Sequence, residues 1–279
     1  MLIVDSQVHI WGANTPERPW QLPQPPHHRQ VPSFSKDELL REMDSAGIHR
    51  AVIVPPFWEG ERNDLGLEAA RSHPERFAVM GLFDTERRDA REKLATWLQQ
   101  SGMLGFRFSA RDPKYKTALP EGRLDWLWAA AEELGIPVMI GVLPPDLHLV
   151  DRVAERHPGL KIALDHMARV FGKKDDEAFP ELHKLLALAK RPNVAVKASG
   201  MPSYTEGPYP YHRMHPYLRR AYDAYGPKRL FWGTDLTKLP CTYRQAVTMF
   251  TEELAWLTAE DKEWIMGRGL CEWLGWNIP

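Results

Sequence analysis

The chain has 279 residues, 43% of them apolar, enough for one large α/β core. Its formal net charge of −1 gives no bulk attraction to nucleic acid or to an acidic membrane surface. Cys241 and Cys271 are the only cysteines, which excludes a disulfide framework and a CxxC metal pattern.

No apolar run approaches a membrane span, and the chain enters its first strand without a basic, leader-like stretch. A soluble cytoplasmic protein with no membrane or nucleic-acid partner is expected. Short apolar runs predict strands at Leu2–Asp5, Ala51–Val54, Phe77–Gly81, Leu104–Phe108, Val138–Val142, Ile162–Leu164, Val194–Lys197 and Leu230–Trp232. Most lack polar alternation, as parallel strands buried on both faces do. Helical patterns lie between them. Ser35-Lys36-Asp37-Glu38 is a capping box, and Gly47 stops the helix it starts. Further helices are predicted over Arg123–Leu134, Leu147–Arg156 and Met214–Tyr225, and a last one opens at Thr258.

Strand and helix alternating eight times predicts a single-domain (β/α)8 TIM barrel over residues 1–279. A doubly wound sheet is the alternative, but no glycine-rich phosphate loop follows any strand. Two stretches break the rhythm. Residues Gly12–Ser33 are rich in Pro, Trp and His, and Gly200–His212 hold three prolines and three tyrosines. Both follow C-terminal strand ends, where such barrels place their sites.

Polar side chains cluster at those ends. The first strand supplies Gln7 and His9 on one face, where a His at both positions would form a metal clamp. The fourth supplies Arg107, with Arg111 beyond it, and the sixth ends in His166. The seventh carries Lys197 and Ser199, and the eighth ends in Asp235. Any one of these could be structural; their convergence at one barrel end predicts a site. Arg107 and Arg111 suit carboxylates, with Lys197, Tyr204, Arg213 and Arg244 as weaker candidates for the same rim. Arg244 could equally pair on a helix surface. Trp11, Trp20, Phe57 and Trp58 could wall a flat ring or pack under a loop. Trp264, Trp273 and Trp276 could serve a homo-oligomer interface, but packing of the last helix on the barrel is the preferred reading.

These segments together resemble the amidohydrolase superfamily, in the group containing sugar-acid lactonases, pyrone-dicarboxylate lactonase and some decarboxylases. The resemblance rests on Asp5-Ser6-Gln7-Val8-His9-Ile10-Trp11, Gly105-Phe106-Arg107-Phe108, Leu164-Asp165-His166, Val196-Lys197-Ala198-Ser199-Gly200 and Trp232-Gly233-Thr234-Asp235. Metal-dependent members bind through His-x-His on strand one, a His on strand five and the Asp of strand eight. Here Gln7 replaces the first His, strand five has none, and His148 falls at the start of a helix. Gln is a weak zinc ligand, so the expected site has no metal; zinc held by His9, His166 and Asp235 is the less favoured alternative.

The resemblance thus implies a hydrolase opening a small anionic lactone. Asp235 would activate water, and His9, His166 and Gln7 would donate to the carbonyl oxygen. A metal-dependent decarboxylase or hydratase, or a non-catalytic barrel that binds a small acid, are the alternatives.

Overall fold

The computed structural model describes residues 1–113 and 115–277. Its strands are β1 (Val4–Val8), β2 (Arg50–Ile53), β3 (Phe77–Leu82), β4 (Met103–Ser109), β5 (Val138–Gly141), β6 (Ile162–Leu164), β7 (Val194–Ser199) and β8 (Leu230–Gly233). They pair in parallel and in sequence order from β1 to β8. The helices are α1 (Lys36–Ala46), α2 (Asp64–Ser72), α3 (Ala90–Ala95), α4 (Asp125–Glu133), α5 (Leu147–Arg156), α6 (Leu182–Ala187), α7 (His215–Tyr225), α8 (Tyr243–Thr248), α9 (Ala259–Glu263) and α10 (Gly269–Leu274). One helix follows each strand, so the fold is the expected (β/α)8 barrel.

Local chemistry sets the boundaries. Ser35 and Glu38 form the predicted capping box on α1, and Gly47 ends it in a left-handed conformation at φ 76°. Thr242 with Gln245, and Thr258 with Asp261, form two more boxes, on α8 and α9. The predicted helix at Leu147–Arg156 matches α5. The first strand runs later than its predicted Leu2–Asp5, because Asp5 finds partners inside the barrel and the chain stays extended through Val8.

Apolar side chains pack in two places. The larger cluster lies between strands and helices. The smaller fills the lower barrel with residues such as Val52, Met80, Met139 and Phe231, closed below by Leu270 and Leu274. Trp264 is buried, Trp273 stacks on Phe231, and Trp276 lies under the Arg50 guanidinium, so these tryptophans pack the C-terminal helices onto the barrel. None of the helices among the described residues is long and apolar enough to cross a membrane.

The barrel closes between β1 and β8 through a carboxylate. Asp5 Oδ1 accepts from the Gln7 and Thr234 backbone N–H groups at 3.0 and 2.9 Å. Its Oδ2 accepts from the Thr234 and Tyr243 hydroxyls. Asp235 N–H donates to the Gln7 carbonyl at 3.0 Å across the same seam. Gly233 permits this approach: a Cβ there would lie 2.2 Å from Ser6 Oγ. Asp5 thereby fixes both Gln7 and Asp235.

Burial pushes the Asp5 carboxyl up to about 6, although the hydrogen bonds from Thr234, Gln7 and Tyr243 work the other way. A raised carboxyl favours folding while protonated, and that contribution is lost as pH climbs through about 4 to about 6. Asp5→Asn leaves buried donors without acceptors and should cost about 2 kcal/mol at the acid end of this range. Because Asn does not ionise, the deficit relative to wild type should shrink as pH rises across it. Urea unfolding over a pH series measures this, and a deficit constant with pH would refute it.

Candidate active site

Three polar layers rise from the apolar floor. The lowest is an ion cluster. Lys197 Nζ, fully buried, donates to Asp165 Oδ1 at 2.8 Å. Arg107 Nε donates to Asp165 Oδ2 at 2.7 Å. Burial alone would raise Asp165, but Lys197 and Arg107 hold it well below the usual carboxylate range. Burial lowers Lys197, while Asp165 opposes the shift.

Lys197 also donates to Gln7 Oε1 at 2.5 Å. An ammonium has only protons to offer, so the Gln7 oxygen must face it. The Gln7 NH2 then points upward, 3.3 Å from His166 Nε2 and 3.5 Å from His9 Nε2. His166 Nε2 must therefore accept, and its proton sits on Nδ1, which meets Ser199 Oγ at 2.8 Å. Burial holds His166 well below the ordinary histidine value despite Asp235 and Asp165 nearby, so it is neutral near pH 7. His9 Nδ1 lies 2.6 Å from the Val54 carbonyl and carries its proton there. His9 Nε2 lies 3.0 Å from Asp235 Oδ1.

Asp235 occupies the top layer. Burial would raise it, but Lys238 and His9 keep it well below the usual carboxylate range. Lys238 Nζ donates to Oδ2 at 2.6 Å. The turn after β8, Leu236–Lys238, brings these two side chains together at a spacing of three residues. Oδ1 is buried and lies 3.0 Å from His9 Nε2. His166 and Asp235 both have φ 53°, the left-handed region at the end of a strand.

Two cavities open on this floor. The larger, about 440 Å³, is lined by Gln7, His9, Arg107 and Arg111, with Trp58 and Phe171 among its apolar walls. The smaller, about 210 Å³, is lined by Asp235, Tyr204 and Arg169. Lys238, His27 and Phe171 border both. Arg107 and Arg111 lie side by side over Gly141, where a Cβ would stand 3.2 Å from one guanidinium and 3.6 Å from the other. Burial, and Arg107 beside it, push Arg111 down to about 10. The Nε atoms of Arg111 and Arg169 are buried without hydrogen-bond partners among the described residues. The floor thus carries Arg107, Arg111, Arg169, Lys197 and Lys238 against Asp165 and Asp235, an excess of positive charge suited to an anion.

Gln7, His9, Arg107, Arg111, Tyr204 and Asp235 therefore reach a cavity. Five expected residues do not. Lys197 lies beneath the site, fully buried and paired. His166 lines neither cavity and accepts a hydrogen bond from Gln7 where a donor was expected. Trp11 packs underneath, against Trp58 and Phe34, with its indole N–H on the Val31 carbonyl. Arg244 is on the surface of α8, half-exposed, bonded to the Ala46 carbonyl and facing Glu252. It is placed there because the chain turns into α8 at the Thr242 cap, away from the barrel mouth. Arg213 is exposed and pairs with Asp175.

Sequence reasoning missed Lys238, Asp165, Arg169 and His28. His28 comes from the loop after β1 and bonds Thr237 Oγ1 at 2.7 Å; burial, with Lys238 adding to it, pushes the ring down to about 2. An Asp–Lys pair three apart after a terminal strand was the signal available for Lys238.

The Gln7 NH2 group points between the two imidazoles, and an ammonium already neutralises Asp235. Among the described residues no group of three or more His, Cys, Asp or Glu is arranged to hold a metal.

A barrel with carboxylate, imidazoles and cations gathered at the C-terminal strand ends is the form of an amidohydrolase-fold enzyme. Residues 4–268 match the amidohydrolase family, and the chain belongs to it. Over 250 residues it is 28% identical to the L-fucono-1,5-lactonase of Burkholderia ambifaria, covering 83% of this chain and 79% of that protein. In fold it is similar to a zinc-bound amidohydrolase from Burkholderia multivorans, at TM-score 0.82, 22% identity and 99% coverage of both chains. It is also similar to a protein assigned as a 2-pyrone-4,6-dicarboxylic acid hydrolase from Pseudomonas putida. That match has TM-score 0.78 and 20% identity, and covers 100% of this chain and 99% of that one.

Lys197→Met removes the group that orients Gln7 and leaves Asp165 with one cation. A loss of about 3 kcal/mol in urea unfolding is expected. A variant as stable as wild type would show that Lys197 does not anchor the layer above it.

Proposed function

We propose that this protein is a hydrolase of small anionic lactones that works without a metal ion. The observation that carries this reading is Asp235. It is charged and lines a cavity, with one oxygen held by Lys238 and the other 3.0 Å from His9 Nε2. An ionised carboxylate at a cavity floor can serve as a general base.

A water between the Asp235 carboxylate and the lactone carbonyl gives its proton to Asp235 as its oxygen bonds to carbon. The carbonyl π pair moves to the oxygen, stabilised by the positive charge of the floor. As the intermediate collapses, the ring C–O bond breaks and the departing oxygen takes the proton back from Asp235. A lactone's leaving group is better than an amide's, so the reaction needs less Lewis-acid help. His166 does not touch substrate in this scheme; it positions Gln7.

Arg107 and Arg111 supply the substrate's carboxylate site, their charge in excess of what Asp165 neutralises. The walls Trp58, Phe57 and Phe171 favour a flat ring. The matched lactonase supports lactone chemistry in this family.

Asp235→Asn keeps the shape but loses the base, and should lower kcat on acidic lactones by about 10³-fold. Arg111→Gln should raise KM about tenfold with a smaller change in kcat, having lost a charge-assisted contact. Wild-type activity should survive exhaustive dialysis against a chelator. Near-normal lactone hydrolysis by Asp235→Asn, or activity that returns only with added zinc, would overturn the proposal.

A further inference from the structure

The orientation of Gln7 leaves the mechanism short of a strong electrophile. His166 has no proton to offer at Nε2, because that nitrogen accepts from Gln7. The Gln7 amide is a neutral donor and already faces two imidazoles. Lys238 is different. Its Nζ makes one hydrogen bond among the described residues, to Asp235 Oδ2, so two of its three N–H donors are unspent. Its side chain is largely buried, at 14% exposure, yet it borders both cavities. It therefore stands where the space over Gln7 and His9 meets the space over Asp235.

We propose that Lys238 is a catalytic residue whose ammonium polarises the lactone carbonyl and holds the oxyanion, filling the electrophilic role in a site built without metal ligands. The inference rests on the lactone-hydrolase reading above. As water adds, the carbonyl π pair localises on the oxygen facing Lys238. The proton of the water goes to Asp235, and Lys238 keeps all its protons throughout. One N–H stays on Asp235 Oδ2, fixing base and electrophile at a set separation. Partial burial strengthens both contacts, since fewer waters compete for the ammonium.

Lys238 also acts on Asp235 as its counter-ion, and the test must separate the two roles. The charged or titratable groups facing Asp235 are His9 from β1, His166 after β6 and Lys238 from its own turn, with His27 and His28 from the loop after β1, Lys197 from β7 and Tyr204 after β7 around them. Loss of Lys238 should move the acid limb of the pH–rate profile upward, because a cation that lowers Asp235 is gone. A counter-ion alone would do only this, and turnover on the alkaline plateau would return to wild type.

The experiment uses the full chain with 2-pyrone-4,6-dicarboxylate and L-fucono-1,5-lactone as probes. Lys238→Met and Lys238→Ala are checked for folding by thermal melting. Expected are a plateau kcat about 100-fold below wild type with a smaller change in KM, and recovery of about tenfold in Lys238→Ala by methylammonium. Tetramethylammonium, which has no N–H, and sodium chloride at equal ionic strength should give no recovery. Plateau turnover within about threefold of wild type overturns the electrophile role. So does a plateau loss in folded Lys238→Ala that methylammonium does not relieve. If wild-type protein opens neither probe nor any other acidic lactone, the lactone-hydrolase reading fails first and takes this inference with it.

Discussion

The buried ammonium of Lys197 is the constraint on which the site depends. An unpaired cation in the barrel interior would be expelled or neutralised. It is kept by Asp165, whose second oxygen holds Arg107. Being a donor only, Lys197 dictates which way Gln7 faces. Gln7 in turn dictates the tautomer of His166, and Ser199 completes that ring's contacts. One charge at the bottom therefore fixes the positions of protons two layers above it. Geometry alone would leave the amide and the imidazoles free to flip; the ammonium removes that freedom.

The same layering explains how positive charge is distributed. Lys197 and Arg107 are held by Asp165 and serve architecture first, although Arg107 also reaches the cavity. Arg111 and Arg169 keep buried Nε atoms that have no hydrogen-bond partner among the described residues. They rest on aromatic faces, Arg111 on Phe171 and Arg169 on Phe171 and Tyr204, which steadies them without neutralising them. A cation packed on a ring keeps its field for an incoming anion.

Several strand ends were legible because the apolar run stops at a polar residue, and Asp235 and Arg107 could be read that way. The caps of α1 and α9 were legible because a capping box is local. What failed was anything set by contacts between distant segments. Lys197 and Arg107 look alike at their strand ends, but only tertiary packing decides which one is enclosed. Trp11 follows the Gln7–His9 pair and would be expected at the mouth; the loop after β1 folds back over it, with Phe34 bonded to its backbone at 3.0 Å. Lys238 lies beyond the strand end, and a tight turn places it on Asp235.

Backbone strain gives the same division a physical cost. His166 and Asp235 are non-glycine residues in the left-handed region, each at a cost of about 1–3 kcal/mol. Neither conformation follows from its own sequence, since Leu164-Asp165-His166 and Gly233-Thr234-Asp235 carry no glycine at the strained position. The cost is offset from outside. Asp5 grips Thr234 by backbone and hydroxyl, and Gln7 takes the Asp235 N–H. Ser199 holds the ring of His166 from the neighbouring strand. Relaxing either residue would swing its side chain off the axis where Gln7, His9 and Lys238 converge. Asp5, which touches neither cavity, therefore closes the barrel and aims Asp235 through one carboxylate.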